Sequence, residues 1–179
     1  AIRELRAAFE LMPADIETVE PLVDALQRVG RGQEAKELLR QKLDARPEIV
    51  AIRAALAGLL AKDGKLTEAL SLLDAGLAEN TVQPDLTNAL VQILIDPAHG
   101  DVSRVAEAIS RMERVCANMK KPDARLLYTL AMAYMRQGNT GQAITTAQAA
   151  LDTARESGRT RLAAKIEQDL AKLLPFAPQ

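Results

Sequence analysis

Apolar residues recur along the chain at the spacing of amphipathic α-helices. Leu56, Ala57 and Leu60 stand at positions i, i+1 and i+4, which places them on one stripe of a helix. Leu39 and Leu43 form an i, i+4 pair on the face of another helix. A small side chain such as that of Ala57 lets two helices approach closely and pack ridge into groove. The pattern therefore predicts helices that pack against one another in pairs.

The helical pattern repeats with a period of 34 residues. Segments 1–13 and 35–47 are in phase, both end in proline, and they begin 34 positions apart. A third segment begins at Ala69, another 34 positions on, and two more begin at Ala108 and Ala143. One helix pair of this length cannot bury its apolar face alone, so neighbouring pairs must stack.

This period divides the chain into an incomplete first unit, four complete helix pairs and a closing helix. The predicted segments are 1–13 (a second helix without its first), 14–48, 49–83, 84–122, 123–156, 157–174 (a capping helix) and 175–179 (a tail). The unit 84–122 is longer, and residues 96–100 are assigned to its lengthened turn. Because a proline inside a helix costs about 3 kcal/mol, we expect a helix capped at Thr18 with Pro21 in its first turn.

Helix pairs around a glycine turn, repeated every 34 residues, resemble the tetratricopeptide repeat (TPR) family. The family's second-helix alanine corresponds to Ala1, Ala35, Ala69, Ala108 and Ala143. Its first-helix tyrosine is Tyr134 in the last unit, whereas its tryptophan is absent. The resemblance implies an all-α fold, an α-α superhelix of antiparallel helix pairs with a C-terminal capping helix. The same phase predicts buried side chains at Leu39, Leu73, Leu130 and Cys116.

Composition and charge exclude several classes of function. A net charge of −1 argues against nucleic-acid binding, which needs a basic excess, and no apolar run is long enough to span a membrane. The single cysteine, Cys116, and the single histidine, His99, are too few for a metal centre or a catalytic triad, and we expect His99 to be a solvated loop residue. No glycine-rich phosphate loop is present. We predict a protein that is not an enzyme and needs no cofactor or metal.

The resemblance implies a peptide or partner helix bound along a concave groove lined by the first helices. The matching residues are Glu20, Asp24, Ala54, Gly58, Asn88, Gln92, Arg125, Tyr128, Met132, Met135 and Arg136. The groove is acidic at one end and basic at the other, which predicts a partner with its acidic end near Arg125 and Arg136. Methionine and tyrosine are favoured at adaptable recognition surfaces. In the alternative interpretation, Tyr128 and Met132 only pack against the next helix.

One subclass of the family does not fit. Modules that bind chaperone C-terminal tails share a clamp of lysine, asparagine and arginine for the terminal carboxylate. The matching positions hold Glu20, Asp24, Ala55, Asp85 and Ala89 in one register, and Ala54, Gly58, Ala89, Arg125 and Thr129 in the other. Neither set can bind a carboxylate through charge-assisted hydrogen bonds, so a chaperone tail is not the expected partner.

Two hypotheses from different classes remain open. The first is a scaffold that binds an unidentified protein partner, and the second is a structural or oligomerisation segment of a larger multidomain protein whose other domains carry an enzyme. The alanine- and arginine-rich style is similar to that of bacterial TPR proteins. The compartment is not indicated; we expect a soluble protein, cytoplasmic by default, with the periplasm as the alternative.

The incomplete first unit carries an apolar set that its neighbour can cover on one side only. This set is Ile2, Leu5, Ala8, Phe9 and Met12. A large exposed apolar patch is rare on soluble monomers. We therefore expect the N-terminal edge either to pair with another molecule, giving self-association, or to fray.

Overall fold

The fold of the chain was obtained as a computed structural model that describes residues 1–79, 83–99 and 104–173, without the side chains of Ile16, Glu79 and His99. Ten α-helices lie in these ranges: α1 Ile2–Leu11, α2 Ile16–Arg28, α3 Gly32–Ala45, α4 Val50–Lys62, α5 Leu66–Glu79, α6 Pro84–Ile95, α7 Val105–Ala117, α8 Ala124–Arg136, α9 Thr140–Glu156 and α10 Thr160–Leu173. No strand occurs in the described ranges. The predicted all-α class is confirmed.

Contacts divide the chain into two compact units, Ala1–Ala89 and Leu90–Gln179. In the first unit, α1 packs on α2, α2 on α3 and α4, and α4 on α3 and α5. In the second unit, α7 packs on α8, α8 on α9 and α9 on α10. Each of the helices in these pairs thus contacts its neighbour in sequence, as expected for stacked helix pairs.

The same glycine turn joins successive helices in both units. After α2, Gly30 has a φ of 76°, and the next amide, that of Arg31, donates to the carbonyl oxygen of Leu26 at 2.8 Å. After α8, Gly138 has a φ of 84°, and the amide of Asn139 donates to the carbonyl oxygen of Tyr134 at 2.8 Å. Glycine reaches this left-handed conformation without a Cβ penalty, so it ends the first helix sharply. This is why the turn recurs with the period of the sequence.

The structure corrects the predicted start of α2. The helix begins at Ile16, and its N-cap is Asp15, whose carboxylate accepts from the amide of Glu17 at 3.0 Å. Pro21 therefore lies in the second turn, inside the helix. The hydroxyl of Thr18 instead lies 2.6 Å from the carbonyl oxygen of Met12, where it closes the preceding turn. An acidic N-cap outweighs the local preference of proline for a first turn.

We expect Pro21→Ala to raise the free energy of unfolding by about 1–2 kcal/mol, because alanine restores a helix hydrogen bond and Pro21 is exposed. Urea unfolding of both chains measures the difference. The matched control is Pro47→Ala, since Pro47 lies exposed between α3 and α4. There alanine should lower the free energy of unfolding by about 0.5 kcal/mol, because it only gives the unfolded chain more conformational freedom. A loss of stability in Pro21→Ala would contradict this account of α2.

The core of the first unit follows the predicted phase, with one correction at the N-terminal edge. Leu39 and Leu73, at 1 % and 0 % exposed, are buried as predicted. Phe9 was expected in an open apolar set, but it is 0 % exposed, because α1 packs on α2 and the Lys42 ammonium lies 6.0 Å from the Phe9 ring. The exposed apolar residues of this edge are Leu11 and Met12, at 81 % and 53 %. Self-association through this edge stays a prediction.

A glycine within α5 allows α4, α5 and the start of α6 to approach closely within the first unit. A Cβ placed on Gly76 would lie 2.6 Å from Leu86 Cδ1 and 2.7 Å from Arg53 Cδ. Leu86 is 1 % exposed and has no room to move away. The position therefore fits glycine despite its low helix propensity.

Alanines fill much of the core of the second unit. The cluster comprises Ala124, Ala131, Ala147, Ala150, Leu151, Ala154, Ala163, Ile166 and Leu170. Leu130 is also buried, as predicted. In α10, the predicted capping helix, Ile166 is 0 % exposed, so this helix covers the apolar face that α9 would otherwise leave open.

The predicted burial of Cys116 is wrong, because this side chain is only half-buried. The buried stripe of α7 ends at Met112 and Val115, at i and i+3, and Cys116 lies beside it. Partial burial still raises the pKa of the Cys116 thiol above its ordinary value. The thiol is therefore less reactive than a free one, but it is not a core residue.

The lengthened turn before α7 is partly described. Residues Pro97–His99 form a single 3₁₀ turn, and Asp96 accepts from the amide of Ala98 at 2.9 Å. The prediction of a solvated His99 side chain, the position of Gly100 and the tail 175–179 lie outside the described residues.

Candidate functional site

An open cavity of about 790 Å³ lies within the second unit, between α6, α8 and α10. Its lining residues are Gln92, Ile95, Asp96, Pro97, Tyr128, Thr129, Met132, Met135, Arg136, Lys165 and Asp169. Five of the predicted groove residues meet here: Gln92, Tyr128, Met132, Met135 and Arg136. Successive turns of α8 place the last four on one face of the helix.

Tyr128 joins α8 to α10 on the wall of this cavity. Its hydroxyl donates to Asp169 Oδ2 at 2.5 Å, and its ring lies 5.3 Å from the ammonium of Lys165. Lys172 donates to the other carboxylate oxygen, Oδ1, at 2.7 Å. Both oxygens of Asp169 are therefore already engaged by the protein.

Burial, and then the hydrogen bond to Asp169, raise the pKa of Tyr128 well above its ordinary value of 10. Hydrogen bonds from Lys172 and Tyr128 hold the pKa of Asp169 below its ordinary range. At neutral pH the phenol is thus protonated and the carboxylate ionised. The pair stabilises the wall of the cavity, and Tyr128 has no tendency to ionise as a base or nucleophile would.

The basic end of the cavity is formed by Arg136, the last residue of α8. Its Nε is buried without a hydrogen-bond partner, although its side chain as a whole is half-exposed. Beside it, Met132 and Met135 are also half-exposed. Gln92 Nε2 lies 3.5 Å from the hydroxyl of Thr129 and links α6 to α8 at the limit of hydrogen-bond distance.

Arg125 does not line this cavity, although the sequence placed it in the groove. Its Nε lies 3.4 Å from Asp123 Oδ1, which also receives Arg159. It lines a separate cavity of about 410 Å³ at the start of α10. Arg125 lies less than one turn before Tyr128 on α8, but its side chain lies beside residues 158–162, at the turn between α9 and α10 and the start of α10.

The remaining predicted groove residues belong to the first unit. Glu20 and Asp24 are exposed on α2, whereas Gly58 is half-exposed on α4. Ala54 is only 8 % exposed, so it offers packing surface more than open groove. On α6, Asn88 is half-buried and its Oδ1 has no hydrogen-bond partner.

Sequence reasoning missed the contribution of α10 to the cavity. Lys165 and Asp169 are not among the predicted groove residues, yet both line the cavity. The two stand at i and i+4, so they lie together along one edge of the stripe that contains the buried Ile166. That spacing was the available signal.

Two classes of site find no support where the chain is described. Over the described ranges, no three His, Cys, Asp or Glu side chains come together in a way that could hold a metal ion. Likewise, none of the described helices combines the length and the apolar character that a membrane crossing requires.

Stacked helix pairs with a cavity lined by their first helices are typical of helical-repeat proteins that bind other proteins. Two profiles of the tetratricopeptide repeat match residues 26–93 and 97–159, together more than half of the chain. The chain belongs to the tetratricopeptide repeat family. TPR repeats generally mediate protein–protein interactions. No curated protein sequence matches the chain.

Solved structures agree with this family in fold. A TPR protein of Thermus thermophilus, TTC0263, superposes with a TM-score of 0.71 at 17 % identity, over 97 % of this chain and 88 % of that one. MamA of Desulfovibrio magneticus, from residue 41 to its end, gives 0.54 at 17 % identity, over 92 % and 97 %. A double mutant of MamA also gives 0.54 at 17 % identity, over 89 % and 94 %. Identities this low show the shared fold alone.

Proposed function

We propose that the chain is a non-catalytic scaffold that binds a peptide or partner helix of another protein in the groove of its first helices. The observation that supports this is the cavity at α8, where five residues chosen from the repeat phase share one concavity. Its volume, about 790 Å³, suits several side chains of a bound segment.

The chemistry of the lining also favours binding. Met132 and Met135 supply adaptable apolar surface, and the exposed amide of Gln92 can both donate to and accept from a peptide backbone. The ionisable pair Tyr128 and Asp169 is committed to holding the wall. The lining therefore offers contacts to a partner and no paired acid and base for a reaction.

A library of random segments of about twelve residues, displayed with both ends fused to a carrier, tests this proposal. We expect clones selected on the protein to bind Met132→Ala at least fivefold more weakly, since truncating an interface anchor costs about 1 kcal/mol or more. Fluorescence anisotropy of the selected segments measures the affinity, and a melting curve checks that the variant is folded.

The matched control is Met12→Ala, because Met12 is an exposed methionine of the first unit. Its affinity for the selected segments should not change. If no clone binds, and sedimentation shows association of the chain with itself, the structural or oligomerisation hypothesis replaces the scaffold. Equal weakening by both variants would also contradict a site at α8.

A further inference from the structure

The charged groups around the α8 cavity are unequally satisfied. Asp169 is engaged at both oxygens by Tyr128 and Lys172, and Asp96 accepts from the backbone of its own turn. Arg136, in contrast, buries its Nε with no acceptor, whereas the exposed ammonium of Lys165 lies against the ring of Tyr128 and lowers the pKa of Asp169. The group left without an acceptor is therefore the positively charged guanidinium of Arg136 at its Nε. Burying a hydrogen-bond donor without an acceptor costs free energy, and an ionised acceptor recovers more of that cost than a neutral one.

We infer that the cavity receives an aspartate or glutamate side chain of the bound segment, held by Arg136 and Lys165, with apolar neighbours resting on Met132 and Met135. This inference rests on the proposed function, since it names the chemistry of the partner at the same site. The carboxylate would supply an acceptor to the guanidinium of Arg136, whose Nε has none. Arginine binds carboxylates with two parallel hydrogen bonds, which gives direction as well as affinity.

The carboxylate belongs to a side chain within the segment rather than to a chain end. Apolar surface lines the cavity on two helices, at Ile95 on α6 and at Met132 and Met135 on α8. One terminal residue cannot cover both, whereas a segment that continues on each side of the acidic residue can. The volume of about 790 Å³ is also far larger than a single carboxylate needs.

Sequencing of the clones from the same display library tests the inference. We expect segments selected on the protein to be enriched in Asp or Glu beside Leu, Ile, Met or Phe. Replacing the acidic residue of a selected segment by Gln or Asn should weaken binding about tenfold at low salt, and less at high salt. In Arg136→Gln the same replacement should weaken binding much less, because only the ammonium of Lys165 is left to distinguish a carboxylate from an amide.

Two further variants separate charge from geometry. Arg136→Lys keeps the charge without the planar fork, so it should retain only part of the preference for acidic segments. Arg111→Gln is the matched control, because Arg111 is paired within α7 to Glu107 at 3.0 Å and does not line the cavity. It should leave the preference intact. Melting curves establish that each variant is folded.

Each outcome distinguishes this inference from the proposed function. If the selected segments bind through Met132 but Gln replaces the acidic residue without loss, the groove is a binding site and the carboxylate inference is wrong. If the fused segments do not bind but the same segments bind once they are released with a free C-terminal carboxylate, the side-chain source is wrong. If binding is insensitive to Met132 and Arg136 alike, the proposed function fails together with the inference.

Discussion

Leu73→Ala is expected to lower the free energy of unfolding by about 2–5 kcal/mol, since Leu73 on α5 is 0 % exposed. The change removes buried methyl groups and leaves a cavity that the surrounding helices can fill only in part. Gly76, one turn further along α5, already brings that helix close to Leu86, so little room for collapse remains. Urea denaturation of the two chains gives the difference.

The control for this prediction is Leu11→Ala in the same unit. Leu11 is 81 % exposed, so the same chemical change should alter stability by less than about 0.5 kcal/mol. A loss in Leu73→Ala as small as that of the control would show that the phase of the repeat was misread. The contrast therefore tests the periodic argument directly.

The repeat predicts burial well because equivalent positions of successive repeats lie in the same kind of environment. Leu39 and Leu73 occupy the same phase 34 residues apart, and both are buried. The phase also holds at the start of α7, where Ala108 and Met112 are buried. It fails only at Cys116, because the buried stripe continues from Met112 to Val115, at i+3, and not to Cys116, at i+4. Both spacings lie on one face of a helix, so the period alone does not choose between them.

Pro21 shows a second limit of local reasoning. Proline disfavours the interior of a helix, but the cap at Asp15 decides where α2 begins and so leaves Pro21 inside it. Val19, Leu22 and Leu26 are all buried on the same stripe of that helix. A helix that began directly after Thr18 would keep all three on that stripe, so the buried face does not decide between the two starts. The cap at Asp15 does, and it places Pro21 in the second turn.

The candidate site was predictable on α8 and only partly elsewhere. Tyr128 and Met132 were found because first helices of the family line a groove, and successive turns keep one face. Lys165 and Asp169 could not be found in the same way. They belong to α10, which is not a member of the repeat, so no other unit offers a position for comparison.

These residues of α10 make the capping helix part of the candidate site as well as of the core. Tyr128 agrees in part with the alternative interpretation, in which it only packs against the next helix. It packs against the core cluster, but it also lines the cavity. Its hydroxyl reaches Asp169, and its ring meets Lys165. The position of α10 should therefore influence both stability and the shape of the cavity.

Ile166→Ala tests that connection, and we expect it to lower the free energy of unfolding by about 2–5 kcal/mol. Ile166 is 0 % exposed and is the most completely buried side chain that α10 places in the alanine-rich cluster of the second unit. Alanines such as Ala150 and Ala154 cannot expand to fill the space that it leaves. Denaturant unfolding measures the loss of stability.

The matched control is Gln168→Ala, an exposed position of the same helix, which should change stability by less than about 0.5 kcal/mol. Hydrogen exchange then locates the effect. In Ile166→Ala the backbone amides of α10 should exchange faster. Local unfolding of α10 costs less free energy once it no longer exposes the isoleucine side chain to water. The selected segments should also bind this variant more weakly at a temperature where it remains folded. The reason is that Lys165 and Asp169, which line the cavity, belong to the helix that has lost packing. Unchanged protection of α10 would show that the alanine cluster, rather than Ile166, holds this wall of the cavity in place.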